Sequence, residues 1–236
     1  FLLDPESPAA SDEEILKRLC QNSKSVEDFI ELTAGLGGRW AILLKFGPSF
    51  IVFTDAAATR SVFYHVDQNQ RVWLATQPGL LAEKFGFTES EESKEFRASP
   101  EFTRKVEVWW PGESTPFAEV KQLLPNHLLD LGTGKVKRYW PNKPLSQYSL
   151  QDGVQVAGNI LKGVLAAAHQ RYPLAMSLSS GLDSRTVFAA CKDFAGDMLV
   201  FNMKYRNYTD ESDDVRVPAQ MAQTLKLNNY KVFDCR

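Results

Sequence analysis

The chain has 236 residues, 44% of them hydrophobic and 24% charged, with a net charge of −2; this is the composition of a globular protein of one large or two ordinary domains. So small a charge leaves no electrostatic footprint for nucleic acid or an anionic membrane, and no apolar run approaches the roughly 18 residues of a spanning helix. Phe1-Leu2-Leu3 is stopped at once by Asp4-Pro5, so no secretory signal is read, and the scattered Cys20, Cys191, Cys235, His65, His127 and His169 lack metal-ligand spacing, as expected of reduced thiols in a cytoplasmic protein.

Residues 1–10 are rich in Pro, Ser and Ala and read as loop. Ser11-Asp12-Glu13-Glu14 reads as a helix start. Ser11 is the cap, Glu14 closes the box three residues later, and Ile15, Leu16 and Leu19 supply an apolar face. A second helix is predicted over 26–32, where Val26, Phe29 and Ile30 recur at helical spacing. Gly35-Leu36-Gly37-Gly38 breaks that pattern. Four β-like runs follow, over 40–46, 50–54, 61–66 and 71–76, and their short polar connections predict an antiparallel meander. Pro78 opens a short helix that Gly86 ends. Residues 88–104 are polar and charged, a solvated and partly helical surface segment. A hairpin is predicted with strands over 127–131 and 135–140 around Gly132-Thr133-Gly134.

Pro141 and Pro144 mark a boundary within 141–149, dividing the chain into domains of 1–146 and 147–236. Beyond it the periodicity changes. Val154, Ala157, Leu161, Val164, Leu165 and Ala168 share one face of a helix over about 152–169. A strand over 174–178 leads into Ser179-Ser180-Gly181-Leu182-Asp183-Ser184, and a helix leads out to about 192. A strand over 198–203, a helix to about 225 and a strand over 230–233 complete an alternating pattern, which implies a parallel sheet.

A strand, a tight Gly-containing polar turn and a helix together present backbone N–H groups and a helix N-terminus to a phosphate. Gly181 permits close backbone approach, and Ser179, Ser180 and Ser184 offer hydroxyls. Asp183 would repel a bare phosphate and makes sense as a Mg²⁺ ligand. No Lys follows the glycine, so this is not a Walker A loop, and no Gly-x-Gly-x-x-Gly is present. The plain alternative is an ordinary strand-to-helix turn with Asp183 and Ser184 as caps.

Leu178-Ser179-Ser180-Gly181-Leu182-Asp183-Ser184 resembles the Ser-Gly-Gly-Leu-Asp-Ser pyrophosphate turn of N-type ATP pyrophosphatases, and in particular the asparagine synthetase family. Further segments resemble that family in order: Leu36-Gly37-Gly38-Arg39-Trp40-Ala41, the run from Thr54-Asp55 to Phe63-Tyr64, Leu74-Ala75-Thr76, Leu124-Pro125-Asn126-His127 and Arg138-Tyr139-Trp140. The resemblance implies an α+β N-terminal part with antiparallel sheets, an incomplete Ntn-hydrolase-like glutaminase domain over 1–146. It implies next the start of an α/β parallel-sheet ATP-pyrophosphatase domain, of adenine nucleotide α-hydrolase type, over 147–236. The implied function is an ATP-dependent amide ligase that adenylates a carboxylate, aspartate by default, for attack by ammonia released from glutamine.

ATP and Mg²⁺ are the implied cofactors. Leu178, Ser179, Ser180, Gly181, Leu182, Asp183 and Ser184 would line the ATP phosphates, with Asp183 on the metal. Met203 would pack against adenine, with plain core as its alternative. Asp12 would grip the α-amino group of glutamine, with an ordinary helix start as its alternative. The implied partners are ATP, glutamine or ammonia and a carboxylic acid, with neither nucleic acid nor membrane, and a homodimer or a second chain completing the synthetase domain.

The chain also departs from the family. Phe1 stands where the glutaminase needs an N-terminal Cys, and the pattern reads as truncated at both ends. Ala58 and Ser61 replace a Gly and a Pro, Ser180 a Gly, Arg185 a Ser and Lys226 a Gly, and Pro218 is expected to interrupt the last helix. A non-enzymatic binding or scaffold member therefore stands as an alternative, as does an ammonia- or amine-dependent ligase for another acid, of the β-lactam or peptide-cyclising kind.

Overall fold

The computed structural model describes residues 1–104 and 109–235. The chain begins with β1 (Leu2–Leu3), α1 (Asp12–Asn22), α2 (Val26–Thr33), β2 (Gly37–Gly38), β3 (Ala41–Phe46) and β4 (Ser49–Thr54). It continues with β5 (Phe63–Val66), β6 (Val72–Ala75), α3 (Pro78–Phe85), α4 (Glu91–Ala98) and α5 (Pro100–Thr103). Then come β7 (Lys121–Gln122), β8 (His127–Asp130), β9 (Val136–Arg138), α6 (Leu150–Arg171) and β10 (Ala175–Ser177). The last elements are α7 (Leu182–Cys191), β11 (Leu199–Lys204), α8 (Asp213–Thr224) and β12 (Tyr230–Asp234). The fold is mixed α and β, with antiparallel sheets early and a parallel sheet late. Among the described residues no helix is long and apolar enough to cross a membrane.

One compact unit comprises Phe1, Leu19–Ala34 and Gly38–Ser146. The sequence predicts a single meander here, and the structure corrects it: β4 does not pair with β5. Two antiparallel sheets form instead, ordered β3-β4-β8-β9 and β6-β5-β7. Alternation along each strand explains the separation. Val52 of β4 and Leu129 of β8 meet Val62, Tyr64 and Leu123 in one buried cluster, so the two sheets face each other across it. On the outer face of the first sheet, Phe53 is fully buried, with its ring edge-on to Phe29 of α2 and to Trp40 and Tyr139. On the outer face of the second, His65 and Trp73 pack against Phe85 of α3. The layers thus run helix, sheet, sheet, helix.

The other unit comprises Leu2–Arg18, Gly35–Gly37 and Gln147–Arg236. Residues 2–3, read as loop from sequence, are a short strand paired with β2. The capping box forms as expected: Glu14 N–H donates to Ser11 Oγ at 3.2 Å, and Ser11 N–H donates to the Glu14 carboxylate at 2.7 Å. Two glycines admit close neighbours. A Cβ on Gly163 would sit 2.5 Å from Pro5 Cβ, and one on Gly37 would sit 2.8 Å from the Val164 methyls. The sheet is parallel, ordered β10-β11-β12. Its core gathers Leu178, Phe188, Cys191, Ala195, Met198 and Val200.

Two further expectations need correction. The predicted apolar face of α6 is covered only over its second half. Leu165 packs on the core, whereas Val154 is 64% exposed. And α8 runs unbroken through the buried Pro218. Proline has no N–H to give the Asp214 carbonyl; Asn202 Nδ2 donates to that oxygen instead, at 2.7 Å.

Helices α3 and α8 end in the same way. Phe87 N–H reaches Ala82 O at 2.9 Å after α3, and Leu227 N–H reaches Ala222 O at 2.9 Å after α8, each across one left-handed residue. That residue is Gly86 in the first (φ +71°) and Lys226 in the second (φ +54°). A side chain in this region is strained by roughly 1 kcal/mol. Lys226→Gly is therefore expected to raise stability by roughly 0.5–1 kcal/mol, read as a higher urea midpoint.

Candidate functional site

β10 ends at Ser177, and Leu178, fully buried in the core, anchors the chain as it turns. Helix α7 then starts at Leu182, with Gly181 at its N-cap in extended conformation (φ −65°, ψ 149°). No side chain caps the helix. The first-turn N–H groups of Leu182, Asp183 and Ser184 therefore lack the oxygen that a Ser or Asp cap would supply. They lie at the C-terminal edge of a parallel sheet, where open α/β folds place their ligands.

The turn before them is braced from within. Ser179 N–H donates to Ser184 Oγ at 3.1 Å, and Gly181 N–H donates to Ser179 Oγ at 3.2 Å. The Ser179 and Ser184 hydroxyls are 3.0 Å apart. Arg185 Nε donates to Gly181 O at 3.3 Å, folding the cation back over the helix start. Ser180 does not require positive φ, so a Cβ is tolerated there.

The structure places Ser179 to Gly181 in the turn, as expected, and Leu182, Asp183 and Ser184, read from sequence as part of it, in the first turn of α7. Asp183 stands exposed on it and, among the described residues, has no hydrogen-bond or ion-pair partner. It offers a single carboxylate. Among the described residues no three His, Cys, Asp or Glu side chains gather as a metal-ligand set. Mg²⁺ needs no such cage when it sits on phosphate oxygens, because one or two carboxylates and water complete its shell. Met203, near the end of β11, is 45% exposed.

Asp12 lies away from these residues in sequence and does different work. Its carboxylate accepts from Leu2 N–H at 3.0 Å and from Arg171 Nη2 at 2.6 Å, and Arg171 also donates to Leu2 O. Burial raises the Asp12 pKa, but these hydrogen bonds and the guanidinium outweigh it and hold it below its ordinary value. An amino group arriving at Asp12 would compete with Arg171.

Three residues around the turn were missed from sequence: Asn202, Tyr208 and Asp214. Asp214 Oδ1 accepts from Ser180 N–H at 3.1 Å and from Ser180 Oγ–H at 2.5 Å, and its Oδ2 accepts from Tyr208 at 2.9 Å. The Ser180 and Tyr208 hydroxyls, against a smaller opposing effect of burial, hold the Asp214 carboxyl below its usual range. Asn202 Nδ2 donates both to Leu178 O at 2.8 Å and to Asp214 O. The available signals were an Asn inside the otherwise apolar run 199–203, and a Pro four residues after an Asp.

No family model matches the chain, and no curated protein matches it.

Proposed function

We propose that this chain belongs to an ATP-dependent amide ligase of the asparagine-synthetase type, with an Ntn-hydrolase-like first part and an ATP-pyrophosphatase-like second part. One observation carries the reading: a Ser/Gly turn at the end of the first strand of a parallel sheet delivers an uncapped helix start, with a free carboxylate on it. Neutral donors and a positive helix end favour a polyanion. Asp183 would repel that polyanion unless a divalent cation came with it, which makes a metal–triphosphate the fitting ligand. The helix–sheet–sheet–helix layering of the first unit supports the Ntn-like half of the reading.

Bound MgATP would supply the adenylyl group that turns a carboxylate oxygen into a leaving group. The chain's own part is to hold the departing pyrophosphate. The N–H groups of Leu182, Asp183 and Ser184 would donate to its oxygens, Asp183 would hold Mg²⁺, and the Ser179 and Ser184 hydroxyls would orient the outer oxygens. The exposed Met203 thioether would rest on the adenine ring.

Calorimetric titration with MgATP is expected to show one site. Pyrophosphate release is expected to depend on a carboxylic acid, aspartate first, with ammonia as the amine source and no release of glutamate from glutamine. A triphosphate found away from residues 179–184 in crystals soaked with a nonhydrolysable ATP would overturn the assignment.

A further inference from the structure

The turn has an internal grip that the proposed chemistry does not use. Ser180 gives both of its donors, N–H and Oγ–H, to a single oxygen of Asp214. That fixes the Ser180 peptide and its side chain together, one residue before the N-cap of α7. The other Asp214 oxygen is tied to Tyr208, so the carboxylate cannot swing away without breaking a third hydrogen bond. Its own carbonyl is fastened through Asn202 to the carbonyl of Leu178, on the other side of the turn. The start of α8 and the entry to α7 are thereby joined at both ends of the Leu178–Ser180 segment.

We propose that Asp214 is a positioning residue: by taking both donors of Ser180 it fixes the 179–184 turn in the shape that turns the α7 N–H groups to an anionic ligand. The inference rests on reading that turn as a nucleotide site. Ser180 faces Asp214, so it is the lever through which Asp214 acts, and the ligand is left to Ser179 and residues 182–184. A competing view of the same contacts makes Asp214 an internal anion that phosphate must displace. The two views give opposite signs. A brace lost weakens binding, while a competitor lost strengthens it.

The test uses the 236-residue chain with Asp214→Ala, Asp214→Asn, Ser180→Ala and the double variant Ser180→Ala/Asp214→Ala. Hydrogen exchange without ligand is expected to quicken at the hydrogen-bonded amides of 179–181 in Asp214→Ala and to stay unchanged in the antiparallel sheets. MgATP affinity should fall on the order of tenfold in Asp214→Ala. Most of it should return in Asp214→Asn, whose carbonyl oxygen still accepts from Ser180. In the Ser180→Ala background the Asp214 substitution should cost clearly less, a coupling that general loss of stability would not produce. Unchanged exchange at 179–181, strictly additive losses, or tighter MgATP binding in Asp214→Ala would each overturn the proposal. Should the unsubstituted chain bind no MgATP, the nucleotide reading fails, and the exchange result alone decides whether Asp214 holds the turn. Where Asp214→Ala does not fold, Ser180→Ala is the loss variant for both exchange and affinity and Asp214→Asn the near-neutral reference, and a Ser180→Ala that matches the unsubstituted chain in both overturns the proposal.

Discussion

Asp55→Ala is expected to destabilise the first unit by about 3 kcal/mol, seen as an early urea transition in tryptophan fluorescence. The carboxylate is buried and accepts from four backbone N–H groups: Thr59 at 2.9 Å, Arg60 at 3.1 Å, and Trp40 and Ala57 at 3.3 Å each. Those from Ala57, Thr59 and Arg60 close the loop between β4 and β5, and that from Trp40 ties it to the residue before β3. Within that loop Ala58 turns left-handed (φ +50°). Removing the acceptor strands several donors at once, which costs more than the loss of one neutral hydrogen bond.

The same group sets a pH dependence. Burial pushes the Asp55 pKa up, but the hydrogen bonds from Thr59, Arg60 and Trp40 outweigh it and leave the pKa lowered. A lowered native value means that the unfolded chain binds the proton more readily. The stabilisation is then fully present above the unfolded carboxylate pKa of about 3.9, and it fades as pH falls through the lower native value. Between about pH 5 and pH 2 the unsubstituted chain should therefore lose stability more steeply than Asp55→Asn.

Local signals survived from sequence to structure where they were self-contained. The Ser11–Glu14 box, the Pro78 and Gly86 ends of α3 and the β-α-β alternation after residue 174 each concern residues near one another in the chain. What failed depended on distant partners. Strand runs over 40–54 and 61–76 are legible, but whether β4 pairs with β5 is decided by which side chains share the Val52–Tyr64–Leu129 cluster. An apolar stripe on α6 says that a face wants burial, and nothing in it says that only Leu165 and its neighbours find a core. Pro218 reads as a helix breaker because the rescuing donor, Asn202, comes from another element. The site divides the same way. The turn is visible as a string of residues, whereas its brace, Asp214, lies 34 positions from Ser180.

Asp183→Asn should separate a metal-assisted nucleotide site from an ordinary helix start. Asp183 occupies the first turn of α7, stands exposed, and has no partner among the described residues. If it only complements the helix end, its neutralisation weakens α7 slightly and has no metal dependence. If it holds Mg²⁺ on a triphosphate, two effects of opposite sign follow. With Mg²⁺ present, affinity for ATP should drop roughly tenfold or more, and Mg²⁺-dependent pyrophosphate release should vanish, since the metal loses its protein carboxylate. With the metal chelated, ATP should bind the variant at least as well as the unsubstituted chain, because a like charge has gone from the phosphate path. Titrations with and without Mg²⁺, run at one ionic strength so that screening is equal, read both signs. Equal loss in the two conditions would mean that the carboxylate serves the turn and not the metal.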